Sequence, residues 1–151
     1  MMKTRRLKAM VGVALCVMAG SSWAQMTPVG IWHSLDDKTG EPRGEIQIVE
    51  KEGVLTGRVL RSLRHDPHAK KTCEDCKDDR KGQDIIGMEI IRGVKLDASA
   101  DNLWANGGKI LDPENGKEYT VKMTLKDAGH KLQVRGYLGP FYRTQIWLRA
   151  Q

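Results

Sequence analysis

Alternation with a period of two dominates the C-terminal third of this chain. In residues 119–126, Tyr119, Val121, Met123 and Leu125 fall on one face and Thr120, Lys122, Thr124 and Lys126 on the other. A strand sends successive side chains to opposite faces, so the pattern places one face in a core and the other in water. Residues 131–138 repeat it, with Leu132, Val134 and Leu138 set against Lys131, Gln133, Arg135 and Tyr137. Residues 142–149 read the same way: Tyr142, Thr144, Ile146 and Leu148 form the expected inner face, and Arg143, Gln145, Trp147 and Arg149 the outer one.

Further strands are expected at 30–35, 44–50, 54–61, 88–95 and 103–111. The segments between them carry turn chemistry: Lys51-Glu52-Gly53, Asp112-Pro113-Glu114-Asn115-Gly116, Asp127-Ala128-Gly129 and Gly139-Pro140. Short links force neighbouring strands to pair antiparallel. About eight such strands form a sandwich or roll into a barrel, and closure removes the exposed edges. The expected fold is therefore all-β: one antiparallel up-and-down barrel, preferred over a sandwich because a single connection, 62–87, is long enough for a crossover. Gly107-Gly108 and Gly136 sit inside strand patterns, where glycine marks a bulge or a bend.

The N-terminus reads as an export signal. Residues 1–8 contain Lys3, Arg5, Arg6 and Lys8, residues 9–20 are apolar, and Ser22-Trp23-Ala24 places small residues at the −3 and −1 positions of a cleavage site. The apolar run is shorter than the roughly 20 residues that a membrane-spanning helix needs. The expected organisation is a cleaved Sec-type signal over 1–24 and one domain over 25–151, in a bacterial periplasm or secreted, with no membrane span after cleavage. The whole chain has 25 Lys and Arg, 19 Asp and Glu and a formal charge of +6. Four of those cations and no acids lie in the signal, so the remainder is nearly neutral and offers no basic stripe for nucleic acid.

Residues 62–87 interrupt the strand pattern with a polar, charged loop holding Pro67 and the two cysteines left after the signal. Connections of this length are functional or disordered; here the reading is a flap over one end of the barrel. Three readings compete for Cys73-Glu74-Asp75-Cys76. An oxidising compartment favours a disulfide. His65, His68, Cys73 and Cys76 together have the ligand types of a tetrahedral zinc site, but oxidised sulfurs cannot ligate. A redox centre needs a helix and a lowered thiol pKa, and Glu74 and Asp75 act in the opposite sense. The interleaved charges Asp66, Glu74, Asp75, Asp78, Asp79 and Asp84 with Lys70, Lys71, Lys77, Arg80 and Lys81 read as solvated surface. No Gly-x-Ser-x-Gly or His-Glu-x-x-His pattern accompanies His33 or His130, and no catalytic residue, cofactor or enzymatic activity is expected.

Gly30-Ile31-Trp32, the Cys73–Cys76 motif, GGKILDPENGKEY at 107–119, VRGYLG at 134–139 and RTQIWLR at 143–149 together resemble an exported bacterial family, domain of unknown function twenty-one forty-seven. The resemblance covers essentially the whole chain after the signal. It implies a lipocalin-like (calycin) barrel and brings no activity and no catalytic residues. Lipocalin-like chains pair a Gly-x-Trp on the first strand with a basic residue on the last; the counterparts here are Gly30, Trp32 and either Arg143 or Arg149. A guanidinium stacked on the indole would close the narrow end.

An eight-strand barrel encloses filling side chains or one small ligand. The leading expectation is an exported barrel that binds a small apolar or amphipathic ligand. The inward candidates are Trp32, Ile46, Ile48, Val59, Val121, Met123, Val134 and Ile146. The alternatives are an envelope interaction module presenting Trp147, Tyr137 and Tyr142 to a partner, and a metal- or redox-active accessory protein using His65, His68, Cys73 and Cys76.

Overall fold

The computed structural model describes residues 26–150; the signal expected over 1–24 lies outside them. Nine strands follow in order: β1 Gly30–Leu35, β2 Pro42–Lys51, β3 Val54–Ser62, β4 Glu89–Leu96, β5 Leu103–Asn106, β6 Lys109–Asp112, β7 Lys117–Lys126, β8 Lys131–Leu138 and β9 Phe141–Arg149. Each pairs antiparallel with its neighbours, and the ring closes where β1 meets β9 at Trp32 with Arg149 and His33 with Leu148. No strand edge is left open in this ring, as expected of a barrel.

β5 and β6 lie end to end as two halves of one staff, both pairing with β4 and with β7. The architecture is thus an eight-position up-and-down barrel with one position broken. The break falls at Gly107-Gly108. Gly107 takes a φ of +72°, and a Cβ on Gly108 would lie 2.4 Å from a methyl of Val94. The bend needs one residue with a left-handed backbone and one with no side chain.

The inner face is apolar. Trp32, Ile46, Ile48, Val59, Val121, Met123 and Val134 are all buried, together with Leu55, Ile91, Val94, Trp104, Leu111, Leu125 and Leu132. The last strand corrects the expected pattern. Ile146 is half-exposed, whereas Trp147 is buried. β9 pairs Leu132 with Trp147, Val134 with Gln145 and Gly136 with Arg143. Directly opposed residues share a face, so the partners of Leu132 and Val134 also point inward, and a one-residue offset flips the whole strand. The inner row of β9 is therefore Arg143, Gln145, Trp147 and Arg149, and Ile146 and Leu148 lie outside. That row is polar except for one indole: Arg149 meets the Trp32 ring, and Arg143 and Gln145 reach Asp37.

The connection after β3 is folded onto the barrel. A Thr72–Asp84 bridge pins its middle, and a Cys73–Cys76 disulfide, with both sulfurs buried, knots it. Arg80, expected on a solvated surface, is 1% exposed. Its Nε donates to both oxygens of Asp78, its Nη2 to Asp78 and to Glu118 Oε2 at 2.7 Å, and its Nη1 to the Glu89 carbonyl at 3.1 Å. Burying a guanidinium is costly unless its donors are engaged, and here the partners come from the loop, β4 and β7 together. Asp79 and Arg92 add a bidentate pair at 2.9 Å on both arms.

Candidate functional site

The two ends of the barrel differ. One end is filled by Trp32, Ile48, Leu55, Ile91, Val94, Met123 and Leu132, each almost wholly buried. Trp32 Nε1 donates to the Pro28 carbonyl at 2.7 Å, and the Arg149 guanidinium lies 4.2 Å from the centre of its ring. Arg149 also donates to the carbonyls of Gly129, Val29 and Thr27 at 2.7, 2.9 and 2.7 Å. Of the two cations proposed to close the barrel, Arg149 stacks on Trp32. Arg143 lies toward the opposite end, where its Nε donates to Asp37 Oδ2 at 2.5 Å.

That opposite end holds a cavity of about 870 Å³. Its floor is Ile46, Val59, Ile90, Ile110, Leu111, Val134 and Trp147. The long connection supplies one wall through Pro67, Ala69, Ile85 and Ile86. The rim carries Arg43, Arg61, Arg64, Lys70, Lys71 and Arg143, with Asp66, Asp84, Asp112 and Glu114 among them. An apolar hollow with a few polar groups at its lip has the general form of a small-molecule site.

The rim is held by ion pairs. Arg61 makes two hydrogen bonds to Glu45, at 3.1 and 2.9 Å, and His33 Nε2 lies 3.0 Å from the same carboxylate. The Arg61 hydrogen bonds, then His33, hold the Glu45 carboxyl below the ordinary glutamate range. Trp147 Nε1 donates to Gln145 Oε1 at 3.2 Å, and Gln145 Nε2 donates to Asp37 at 3.1 Å, so the floor indole is tied to the rim. Arg43 and Arg64 each contact a different oxygen of the Glu114 carboxylate. Lys70 Nζ donates to the Glu114 carbonyl at 2.8 Å and to Asp75 at 2.6 Å.

Chain topology decides which of the proposed lining residues meet the hollow. Ile46, Val59 and Val134 line it; Trp32, Ile48, Val121 and Met123 belong to the packed part of the core; Ile146 lies outside the barrel. The loop residues proposed as metal ligands are not brought together. Cys73 and Cys76 are buried in a disulfide, His65 and His68 are exposed, and among the described residues no three His, Cys, Asp or Glu side chains converge as a metal-holding group. The aromatic patch loses its indole, because Trp147 is buried, while the Tyr137 and Tyr142 rings meet on the outside, tilted by 45° with their centres 5.8 Å apart. Arg43, Arg64 and Glu114 were not legible as a group: they come from β2, the long connection and the β6–β7 turn, and only folding joins them.

Residues 30–149 match a family described as an uncharacterized protein conserved in bacteria, DUF2147. The chain belongs to the DUF2147 family. The match runs from β1 to the end of β9, so the DUF2147 domain coincides with the barrel. No curated protein matches the sequence. Among solved structures, this DUF2147 chain is similar to protein HP1028 of Helicobacter pylori, a member of the lipocalin family, with a TM-score of 0.66 over 82% of each chain at 16% identity. At that identity the likeness speaks for the lipocalin-like fold alone.

Proposed function

We propose that this protein is an exported barrel that binds a small apolar or amphipathic ligand in the hollow at its mouth and performs no catalysis. The observation that carries the reading is the asymmetry of the interior. One half of the barrel is filled by large side chains, whereas the other leaves a hollow with Ile46, Val59, Ile90 and Val134 turned toward it. A cavity of this volume lies in the range of small-molecule sites. The rim arginines and Lys70 pair with carboxylates of the rim and of neighbouring segments, which suits positioning better than acid–base chemistry. The export signal expected over 1–24 supports a site of action in the periplasm or outside the cell.

Native mass spectrometry of detergent-free protein tests the reading. The expected result is a one-to-one complex after addition of decanol, lost in Val134→Trp, whose indole fills the hollow. Uptake by neither protein overturns it.

A second reading, an envelope interaction module, draws on the β8–β9 hairpin tip. Phe141, Tyr142 and Leu138 are exposed there by 76%, 63% and 49%. An alanine at Phe141 that abolishes partner capture and leaves decanol binding intact would favour it.

A further inference from the structure

Three separate segments meet at the lip of the cavity in a single carboxylate. Arg43 arrives from β2, Arg64 from the long connection and Glu114 from the turn between β6 and β7. The arginines are only 20% and 29% exposed at their side chains, and Glu114 is 38% exposed. Two guanidinium groups share the one Glu114 carboxylate, so this three-residue cluster carries one net positive charge, and Asp36 is the further acid whose carboxyl feels Arg43. Lys71 lines the same cavity and has no carboxylate partner among the described residues. Arginine forks match carboxylate and phosphate oxygens in shape as well as charge, so paired arginines are a ready clamp for either. Just inside the clamp, the lining turns apolar, with Ile46, Val59, Ile90 and Val134.

We infer that Arg43 and Arg64 form a headgroup subsite for a single-chain amphiphile with an anionic head, a carboxylate or a phosphate monoester. This deepens the proposed function and rests on it. Glu114 is the internal carboxylate that the incoming head displaces. The exchange puts one anion in place of another, so the two guanidinium groups keep an anion between them, while the tail leaves water for the apolar hollow. Displaced Glu114 turns to solvent from a turn that stays anchored through Gly116, whose Cα packs on the Asp75–Cys76 backbone. A neutral head cannot replace Glu114 in the clamp, and a cationic head meets repulsion from both arginines.

Isothermal titration with decanol, decanoate, decyl phosphate and decyltrimethylammonium tests this on the full barrel. Decanoate or decyl phosphate should bind at least about tenfold tighter than decanol, and the cationic amphiphile most weakly. The tighter of the two anions identifies the head as carboxylate or phosphate. Arg43→Gln/Arg64→Gln should erase the preference, bringing the affinity ratio of each anion to decanol within the same protein down to about one. Glu114→Gln, which removes the competitor and keeps both arginines, should raise the affinity ratio of each anion to decanol severalfold. It also keeps the test open if the double variant fails to fold. Equal binding of anionic and neutral chains by the parent protein, unmoved by Glu114→Gln, overturns the headgroup subsite and leaves the cavity reading standing. Binding of none of the four overturns both.

Discussion

The Arg149 guanidinium stands 4.2 Å above the centre of the Trp32 ring while donating to three carbonyls from two other segments. One residue of the last strand thereby seals the packed end, caps the indole and ties down the chain before β1. Burial disfavours its charge and pulls its pKa downward, yet the carbonyls and the ring face compensate the cation. Replacing Arg149 with Met should keep part of the packing and strand all three carbonyls. A loss of about 2–4 kcal/mol follows from stranded acceptors plus the lost ring contact. Urea denaturation checks it, and a loss below about 1 kcal/mol would show that solvent substitutes for the guanidinium.

Gly116 should be the least replaceable turn residue. Its φ is +66°, and a Cβ would lie 2.0 Å from the Asp75 carbonyl oxygen. Gly139 has a similar φ of +58° with nothing within 4 Å, which makes it the matched control. Gly139→Ala should cost about 1 kcal/mol from the left-handed backbone alone. Gly116→Ala should cost about 2 kcal/mol more, because the knotted loop must move off the turn. Thermal melts give both numbers, and limited proteolysis should cut the 62–87 connection sooner in Gly116→Ala. Equal losses would mean that the loop yields freely.

The loop should loosen in acid. The Arg80 hydrogen bonds hold the Asp78 carboxyl down to about 2, from an ordinary 3.8. Its folded-state pKa is depressed, so its stabilisation is fully present above about pH 4 and fades as the pH falls toward 2. Asp78 is 42% exposed at its side chain, so solvent screens the pair and the effect is a partial loosening. Hydrogen-exchange protection within 72–84, taken relative to the intrinsic exchange rate at each pH, should fall over that interval in the parent protein and be low already at neutral pH in Asp78→Asn. An Asp78→Asn variant whose loop titrates like the parent would remove Asp78 as the cause.

The disulfide should contribute modestly. Cys73 and Cys76 are three positions apart, and closing so small a loop removes only about 2 kcal/mol of chain entropy from the unfolded state. Cys73→Ala/Cys76→Ala should fold to the same barrel with a loss near that value, read by denaturation with and without reductant. Unfolding of the whole barrel on reduction would show the knot to be indispensable to the fold.

What the sequence revealed and what it hid follow from the range of the interactions. The strands were legible because alternation is local: β1 begins and ends at the expected residues, and β7 buries Val121, Met123 and Leu125 as its pattern implied. The Gly107-Gly108 bend was legible as a bend, but its splitting of one strand into β5 and β6 depends on the close approach of Val94 on the neighbouring strand β4. The face of β9 was misread because its inner row is polar at both ends, and only pairing with Leu132 and Trp32 sets its direction. Arg80 was misread because a guanidinium among acids resembles surface until Glu118 and the Glu89 carbonyl arrive from distant strands. The Arg43–Arg64–Glu114 cluster has no sequence signature, since its members are separated by most of the barrel's length.

A barrel that is hollow at one end and takes an amphiphile there must register the ligand on one set of core methyls and not on the other. Methyl-resolved nuclear magnetic resonance during a decanoate titration tests it most directly. Saturable shifts are expected at Ile46, Val59, Ile90 and Val134, with quiet methyls at Ile48, Leu55, Val94 and Leu132. Shifts confined to the outward Ile146 and Leu148, or no shifts at all, would contradict it.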